Sequence, residues 1–279
     1  MTGRRIDSHL HVWDLAVSRY AWLTPDHGAL YRSFGPDEAA TRMREAGVDG
    51  AVLVQAEDSV QDTEYLLGIA EREEWALGVV GWVQLDDPAA AAEQLDRWQQ
   101  SPAFVGVRHL VHDDPRADFL ELPEVRSSLE GLAARGLPFD VPDAWPAHLR
   151  QAERLVRDQP ELTVVVDHLA KPPRGRADFA EWRTSIEAVA AAPSSVAKVS
   201  GLYSADAPHT AESLREVWHL ALDAFGPDRL MWGSDWPIAE LHGGYAAVTD
   251  VLLELIDELD EAARAALLGG TAERVYRLS

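Results

Sequence analysis

Short apolar runs alternate along the chain with longer stretches in which apolar residues recur at helical spacing. The runs Arg5–His11, Ala51–Gln55, Gly78–Val83, Val105–Val111, Pro138–Val141, Thr163–His168, Val196–Gly201 and Leu230–Ser234 predict strands. The stretches between them predict helices over Pro36–Ala46, Asp62–Glu73, Pro88–Gln100, Pro123–Ala134, Trp145–Asp158, Phe179–Ala192, Thr210–Phe225 and Gly244–Leu255, with a last one around Ala262–Leu268. Gly35-Pro36 and Asp87-Pro88 put a proline where a helix starts and its missing N–H costs nothing. Val52–Val54 and Val164–Val166 show no polar alternation, as expected of strands buried on both faces. Strand alternating with helix gives parallel βαβ units. Eight of them, with no Gly-x-Gly-x-x-Gly after the first strand, favour a closed barrel over an open dinucleotide-binding sheet. A barrel of this kind takes about 250 residues, and the chain has 279 without an internal linker or repeat. The expected fold is an α/β, TIM-type (β/α)8 barrel, a single domain over residues 1–279, with its active site at the C-terminal ends of the strands.

Those ends carry the polar residues. They present His9 and His11, Gln55, Trp82, Arg108 and His109, Asp140, His168, Lys198 and Ser200, then Ser234 and Asp235. His9 and His11, two apart on a strand, share one face. They can bind one cation or orient one substrate, or they are strand-end histidines satisfied by local hydrogen bonds. Barrel closure brings the last strand beside the first, which puts Asp235 near that pair, as a metal ligand, a base for water or a turn aspartate. Arg108 offers a fixed cation to a carbonyl or hydroxyl oxygen. Asp167 and His109, adjacent to His168 and Arg108, alternate to the opposite side and are placed outside the pocket. Lys171 lies on the loop after His168, as a substrate contact or as loop surface. His112 and Asp113 fall on an exposed loop, and His27, His148, His209, His219 and His242 are read as solvated. Trp13, Trp82 and Trp236 lie near strand ends, where an indole packs against a sugar ring or simply fills the barrel mouth.

Bulk properties narrow the partners. A formal net charge of −22 argues against nucleic acid or an anionic membrane, both of which need a cationic surface. It leaves a small anionic or neutral substrate open. The absence of cysteine excludes disulfides, thiolate metal sites and a cysteine nucleophile. No Gly-x-Ser-x-Gly elbow supports a serine hydrolase. The polar start, Met1 to Asp7, reads as no signal peptide, and no run approaches the ~18 apolar residues of a membrane span. A cytoplasmic protein is the default expectation, and a homo-oligomer stays open.

Five stretches together are recognisable: Ile6-Asp7-Ser8-His9-Leu10-His11-Val12-Trp13-Asp14, Gly106-Val107-Arg108-His109, Asp167-His168-Leu169-Ala170-Lys171-Pro172, Lys198-Val199-Ser200-Gly201-Leu202 and Met231-Trp232-Gly233-Ser234-Asp235-Trp236-Pro237. Their order resembles the amidohydrolase-related family of barrel hydrolases, and within it the sugar-lactonase branch that opens L-fucono- and L-rhamnonolactones. The resemblance spans nearly the whole chain. It matches His9 and His11 to the family's first-strand pair, His168 to its sixth-strand histidine and Asp235 to its last-strand aspartate. Two-metal members carry a bridging Lys or Glu on the fourth strand and a histidine on the fifth. Here those strands offer Arg108 and Pro138-Phe139-Asp140-Val141, which speaks against a two-metal centre. The resemblance leaves two readings: one divalent ion, zinc first, on His9, His11 and Asp235 with His168, or a metal-free site. No organic cofactor is implied. The implied reaction is hydrolysis of a small sugar lactone. Asp235 is its base, Arg108, the histidines or one ion hold the carbonyl oxygen, Asp235 or His168 returns the proton, and Trp13, Gln55, Trp82, Lys171 and Trp236 contact substrate. The rivals are a metal-dependent decarboxylase of the same superfamily and a barrel that binds a sugar acid without turnover.

Overall fold

The structure, a computed structural model, describes residues 3–279; Met1 and Thr2 of the polar start lie outside them. Eight strands run in chain order around one sheet: β1 (Ile6–Leu10), β2 (Gly50–Val54), β3 (Ala76–Gly81), β4 (Phe104–Arg108), β5 (Phe139–Val141), β6 (Val164–Val166), β7 (Ser195–Val199) and β8 (Leu230–Trp232). Each pairs in parallel with the next. Helices α1 (Pro36–Glu45), α2 (Val60–Ala70), α3 (Pro88–Trp98), α4 (Pro123–Arg135), α5 (Leu149–Asp158), α6 (Phe179–Ala190), α7 (Ala211–Phe225) and α8 (Tyr245–Ile256) follow the strands one by one. This is the (β/α)8 barrel expected from the alternation.

Local sequence sets the helix starts. Asp87 accepts hydrogen bonds from the Ala89 and Ala90 amides ahead of Pro88, and Ser59 and Thr210 cap α2 and α7 in the same way. Each such cap contributes about 1 kcal/mol. The strands are shorter than the apolar runs, because each run continues into the loop that builds the upper face: β4 stops at Arg108, β6 at Val166 and β8 at Trp232. The helix expected from Trp145 starts only at Leu149, since a residue before proline avoids the helical region and Pro146 follows Trp145. The last expected helix is broken into α9 (Glu261–Ala265), a π turn (Ala266–Gly270) and α10 (Thr271–Tyr276). At Gly269 a Cβ would run into the Arg4 carbonyl, so a helix with side chains could not pass there.

The core has two parts. The larger fills the space between strands and helices. The smaller, including Ile6, Val52, Val80, Val165, Val196 and Met231, fills the barrel and is plugged by Ala272, Val275 and Tyr276 of α10. Burying a side chain of this size stabilises by roughly 1.5–3 kcal/mol. β8 meets β1 through a bridge between Leu10 and Trp236. The Asp235 amide donates to the His9 carbonyl (2.9 Å) and the His11 amide to the Trp236 carbonyl (2.8 Å). Asp7, fully buried on the other side of β1, accepts from the Ser234 and His9 amides and from the Tyr245 hydroxyl of α8. That stitching fixes Asp235 against the first strand. Among the described residues no helix is long and apolar enough to cross a membrane.

Candidate active site

At the closing seam the first and last strands deliver three ligand-type side chains to one point. His9 and His11 face each other Nε2 to Nε2 at 3.0 Å, and Asp235 Oδ1 lies 4.0 Å and 3.7 Å from those nitrogens. His168 joins them, with Nε2 3.8 Å from Asp235 Oδ1 and its ring edge-on to His9. All four are buried. The Nδ1 of His11 bonds the Val54 carbonyl at 2.8 Å, and that of His168 the Ser200 hydroxyl at 2.9 Å.

Two strained turns achieve this convergence. His168, Leu169, Ala170 and Lys171 all have φ between 49° and 61°, and Asp235 has φ 56°. L-residues there cost of order 1–3 kcal/mol each and persist where the surroundings enforce them, commonly at functional sites. Gly201 (φ 53°) packs beneath: a Cβ would lie 2.5 Å from Asp235 Oδ2 and 2.6 Å from His168 Nδ1. A side chain at this position would push both groups out of place.

The turns also explain a correction. Alternation counted from His168 places Asp167 on the opposite side and outside the pocket, but His168, at φ 55°, is the residue that leaves the extended chain; Asp167 keeps the parity of Val165, which fills the barrel, and lies beneath the cavity. Asp167 instead points into the barrel, fully buried, with Oδ1 3.3 Å from His9 Nδ1 and 3.1 Å from Lys198 Nζ, and Oδ2 3.2 Å from Arg108 Nε. Below it Lys198 also bonds Asp140 Oδ2 (2.6 Å), which accepts from the Tyr276 hydroxyl (2.7 Å). In the sequence Asp140 and Lys198 stand at separate strand ends with nothing to link them.

A cavity of about 410 Å³ opens above these groups, lined by His11, Arg108, His168, Lys171 and Asp235 and, towards solvent, by Trp13, Trp22, His27, Leu110, His112, Asp113, Asp143 and Ile238. Trp13 is buried, donates to the Arg32 carbonyl and meets Trp22 edge-on. Lys171 Nζ bonds the Gly201 carbonyl at 3.1 Å and lies 4.0 Å from Asp235 Oδ2 and 3.8 Å from Asp143 Oδ1. Arg108 Nη1 donates to the Gln55 carbonyl. Asp235 Oδ2 is buried and has no hydrogen-bond partner among the described residues. Burial alone would raise the Asp235 carboxyl. Neighbouring His168, His11 and Lys171 outweigh it and hold the group below the usual carboxylate range. Burial pushes His168 well below the ordinary imidazole value, against the pull of Asp235, which keeps it neutral.

Three expected substrate contacts do not line this cavity. Gln55 is fully buried and spends its amide on Asp58 and the Arg108 carbonyl. Trp82 lies beyond the end of β3 and donates to His109, which stacks on Phe119. Trp236 is buried behind the seam against Phe34, with its indole N–H on Glu240. Of the histidines read as solvated, His27 lines the cavity and His148, at the start of α5, is buried. His112 and Asp113 also line it. The one sequence signal available for His27 is the length of the connection from β1 to α1, since long loops on a barrel's upper face tend to be functional.

The donor set fits a divalent ion: His9, His11 and Asp235 offer ligand atoms within 4.8 Å of one another, and an unpaired buried carboxylate oxygen is what a cation would satisfy.

The family model described as Amidohydrolase matches residues 6–278. The chain belongs to that family. It is 34% identical to the L-fucono-1,5-lactonase of Burkholderia ambifaria, over 98% of this chain and 96% of that one. It is also 34% identical to the L-fucono-1,5-lactonase of Burkholderia multivorans, over 100% and 97%. A crystal structure of a Burkholderia multivorans amidohydrolase with bound zinc superposes with a TM-score of 0.87 at 31% identity, covering 99% of this chain and all of that one.

Proposed function

We propose that this amidohydrolase opens a small sugar lactone, an L-fucono-1,5-lactone or a close stereochemical relative, by attack of water on the ring carbonyl. The observation that carries the reading is Asp235: an ionised carboxylate at the cavity floor, with one buried oxygen unspent, ringed by His11, His168 and Arg108. Full-length similarity to two L-fucono-1,5-lactonases supports the substrate class.

In this mechanism Asp235 Oδ2 takes a proton from water as its oxygen bonds the carbonyl carbon. Negative charge grows on the former carbonyl oxygen, where the Arg108 guanidinium and neutral His168 donate hydrogen bonds. Arg108 is preoriented for this by its ion pair with Asp167 and its hydrogen bond to the Gln55 carbonyl. The intermediate collapses, the ring C–O bond breaks, and the proton held by Asp235 passes to the leaving alkoxide, directly or through His168. Water and lactone become one hydroxy acid. Trp13 and Trp22 offer apolar faces to the ring, and His112, Asp113, Asp143 and Lys171 offer partners to its hydroxyls.

His9, His11 and Asp235 would hold a divalent ion, zinc first, in line with the zinc-bound relative. When bound it would supply Lewis-acid polarisation of the carbonyl. The test is a pH-indicator assay of L-fucono-1,5-lactone and other aldonolactones, on protein of measured metal content. Acid release above the spontaneous rate supports the proposal. Carbon dioxide release from an aromatic acid, with no lactone turned over, would replace it with a decarboxylase.

A further inference from the structure

The geometry points to Lys198 as a positioning residue that sets the availability of the His9–His11–Asp235 group to a cation, by holding His9 in the tautomer whose proton sits on Nε2. Lys198 is fully buried on β7 and reaches three groups: Asp140 Oδ2 at 2.6 Å, Asp167 Oδ1 at 3.1 Å and His9 Nδ1 at 3.2 Å. An ammonium group between two carboxylates has three N–H donors and no acceptor. Its hydrogen bond to His9 therefore makes Nδ1 the acceptor, and a proton on Nδ1 would set donor against donor. The single proton of the His9 ring then lies on Nε2, 3.0 Å from His11 Nε2. His11 is fixed from its far side. Its Nδ1 lies 2.8 Å from the Val54 carbonyl, which only accepts, so Nδ1 carries the proton and Nε2 accepts.

One assignment satisfies the whole chain: Lys198 donates to His9 Nδ1, His9 Nε2 donates to His11 Nε2, and His11 Nδ1 donates to the Val54 carbonyl. In this state one shared proton occupies both nitrogens that a cation would need.

The alternative is also built in. Asp167 Oδ1, which Lys198 reaches at 3.1 Å, also lies 3.3 Å from His9 Nδ1 and can accept a second hydrogen bond. If the His9 proton moves from Nε2 to Nδ1 it can donate there, and both Nε2 lone pairs become free. The ring stays neutral, Lys198 keeps its three protons and none leaves the protein. Lys198 and Asp167 thus pull His9 in opposite directions. Lys198 favours a hydrogen-bonded site, and Asp167 favours a cation.

The direct test is a long-range proton–nitrogen NMR spectrum of the nitrogen-15-labelled full chain after chelator treatment, with the His9 signals identified by their loss in His9→Gln. The expected result is a proton on Nε2 and a bare Nδ1. Zinc(II) titration by calorimetry then compares wild type with Lys198→Met, which should bind zinc about 10-fold more tightly or better, the scale on which second-layer partners move metal affinity. Asp167→Asn should bind it more weakly than wild type. A metal-free wild-type His9 protonated on Nδ1 overturns the proposal, as does an unchanged zinc Kd in folded Lys198→Met. The wild-type spectrum decides alone if that variant does not fold. None of these readouts depends on which lactone is opened, so a failure of the lactonase reading would appear in the turnover assay and not here.

Discussion

The two ends of the barrel use the same strands for opposite purposes. In the lower half Ile6, Val52, Val165 and Met231 interlock and are sealed by Val275 and Tyr276 from α10. In the upper half the same strands deliver His9, Arg108, Asp140 and Lys198, with Asp167 and Asp235 just beyond. The lower end spends apolar area on stability. The upper end buries charge, which costs free energy unless it is paired: Asp167 is held by ion pairs to Lys198 and Arg108, whereas Asp235 Oδ2 is left with no hydrogen bond among the described residues. A group left unsatisfied in a buried site adds nothing to stability, so the contrast locates the chemistry.

The comparison breaks most visibly at Asp235. Asp235→Asn should lower kcat by about 1,000-fold while the circular dichroism spectrum is unchanged, because general-base catalysis contributes on that scale. Steady-state lactone hydrolysis checks it, and a variant keeping a tenth of the wild-type rate would end the base assignment. Next comes Gly201→Ala. Its Cβ would displace Asp235 and His168, and misplacement of reacting groups by about 1 Å can cost on the order of 100-fold in rate; kcat measured against the apparent melting temperature should show the rate falling first.

At the lower end the effects reverse. Tyr276→Phe removes the hydroxyl that donates to Asp140 and should cost about 1–2 kcal/mol in urea unfolding, with kcat close to wild type. The smallest effect lies outside the barrel. Burial alone would raise the Asp114 carboxyl, but its bonds with Arg116 and His109 pull it down to about 2. A carboxyl depressed when folded stabilises above its unfolded value near 3.8 and loses that contribution as pH falls towards 2. Arg116 is partly solvated, so the contribution is about 1 kcal/mol. Unfolding at pH 5 and pH 2.5 should show wild type losing this increment and Asp114→Asn losing none.

The sequence made the barrel legible through its eight apolar runs, and barrel closure made the neighbourhood of Asp235 and the histidine pair legible through topology. What resisted reading lay where regular geometry stops. Asp167 is assigned to the wrong side because the alternation is counted from His168, which opens a run of left-handed residues that no period announces, whereas Asp167 continues the in-facing parity of Val165. Trp82 and Trp236 sit close enough to strand ends to suggest a pocket, but their indoles find partners in His109 and Glu240 behind it. His27, His112 and Asp113 reach the cavity from loops, whose paths are set by packing and carry no hydrophobic period.

The central claim is a water activated by Asp235 over a lactone carbonyl, and a crystal of Asp235→Asn soaked with L-fucono-1,5-lactone tests it most directly. The account predicts an intact lactone whose carbonyl carbon lies within about 3.5 Å of a water held by residue 235, with the carbonyl oxygen towards Arg108 and His168. A lactone seated with its carbonyl turned away from residue 235, or bound outside this cavity, would contradict it.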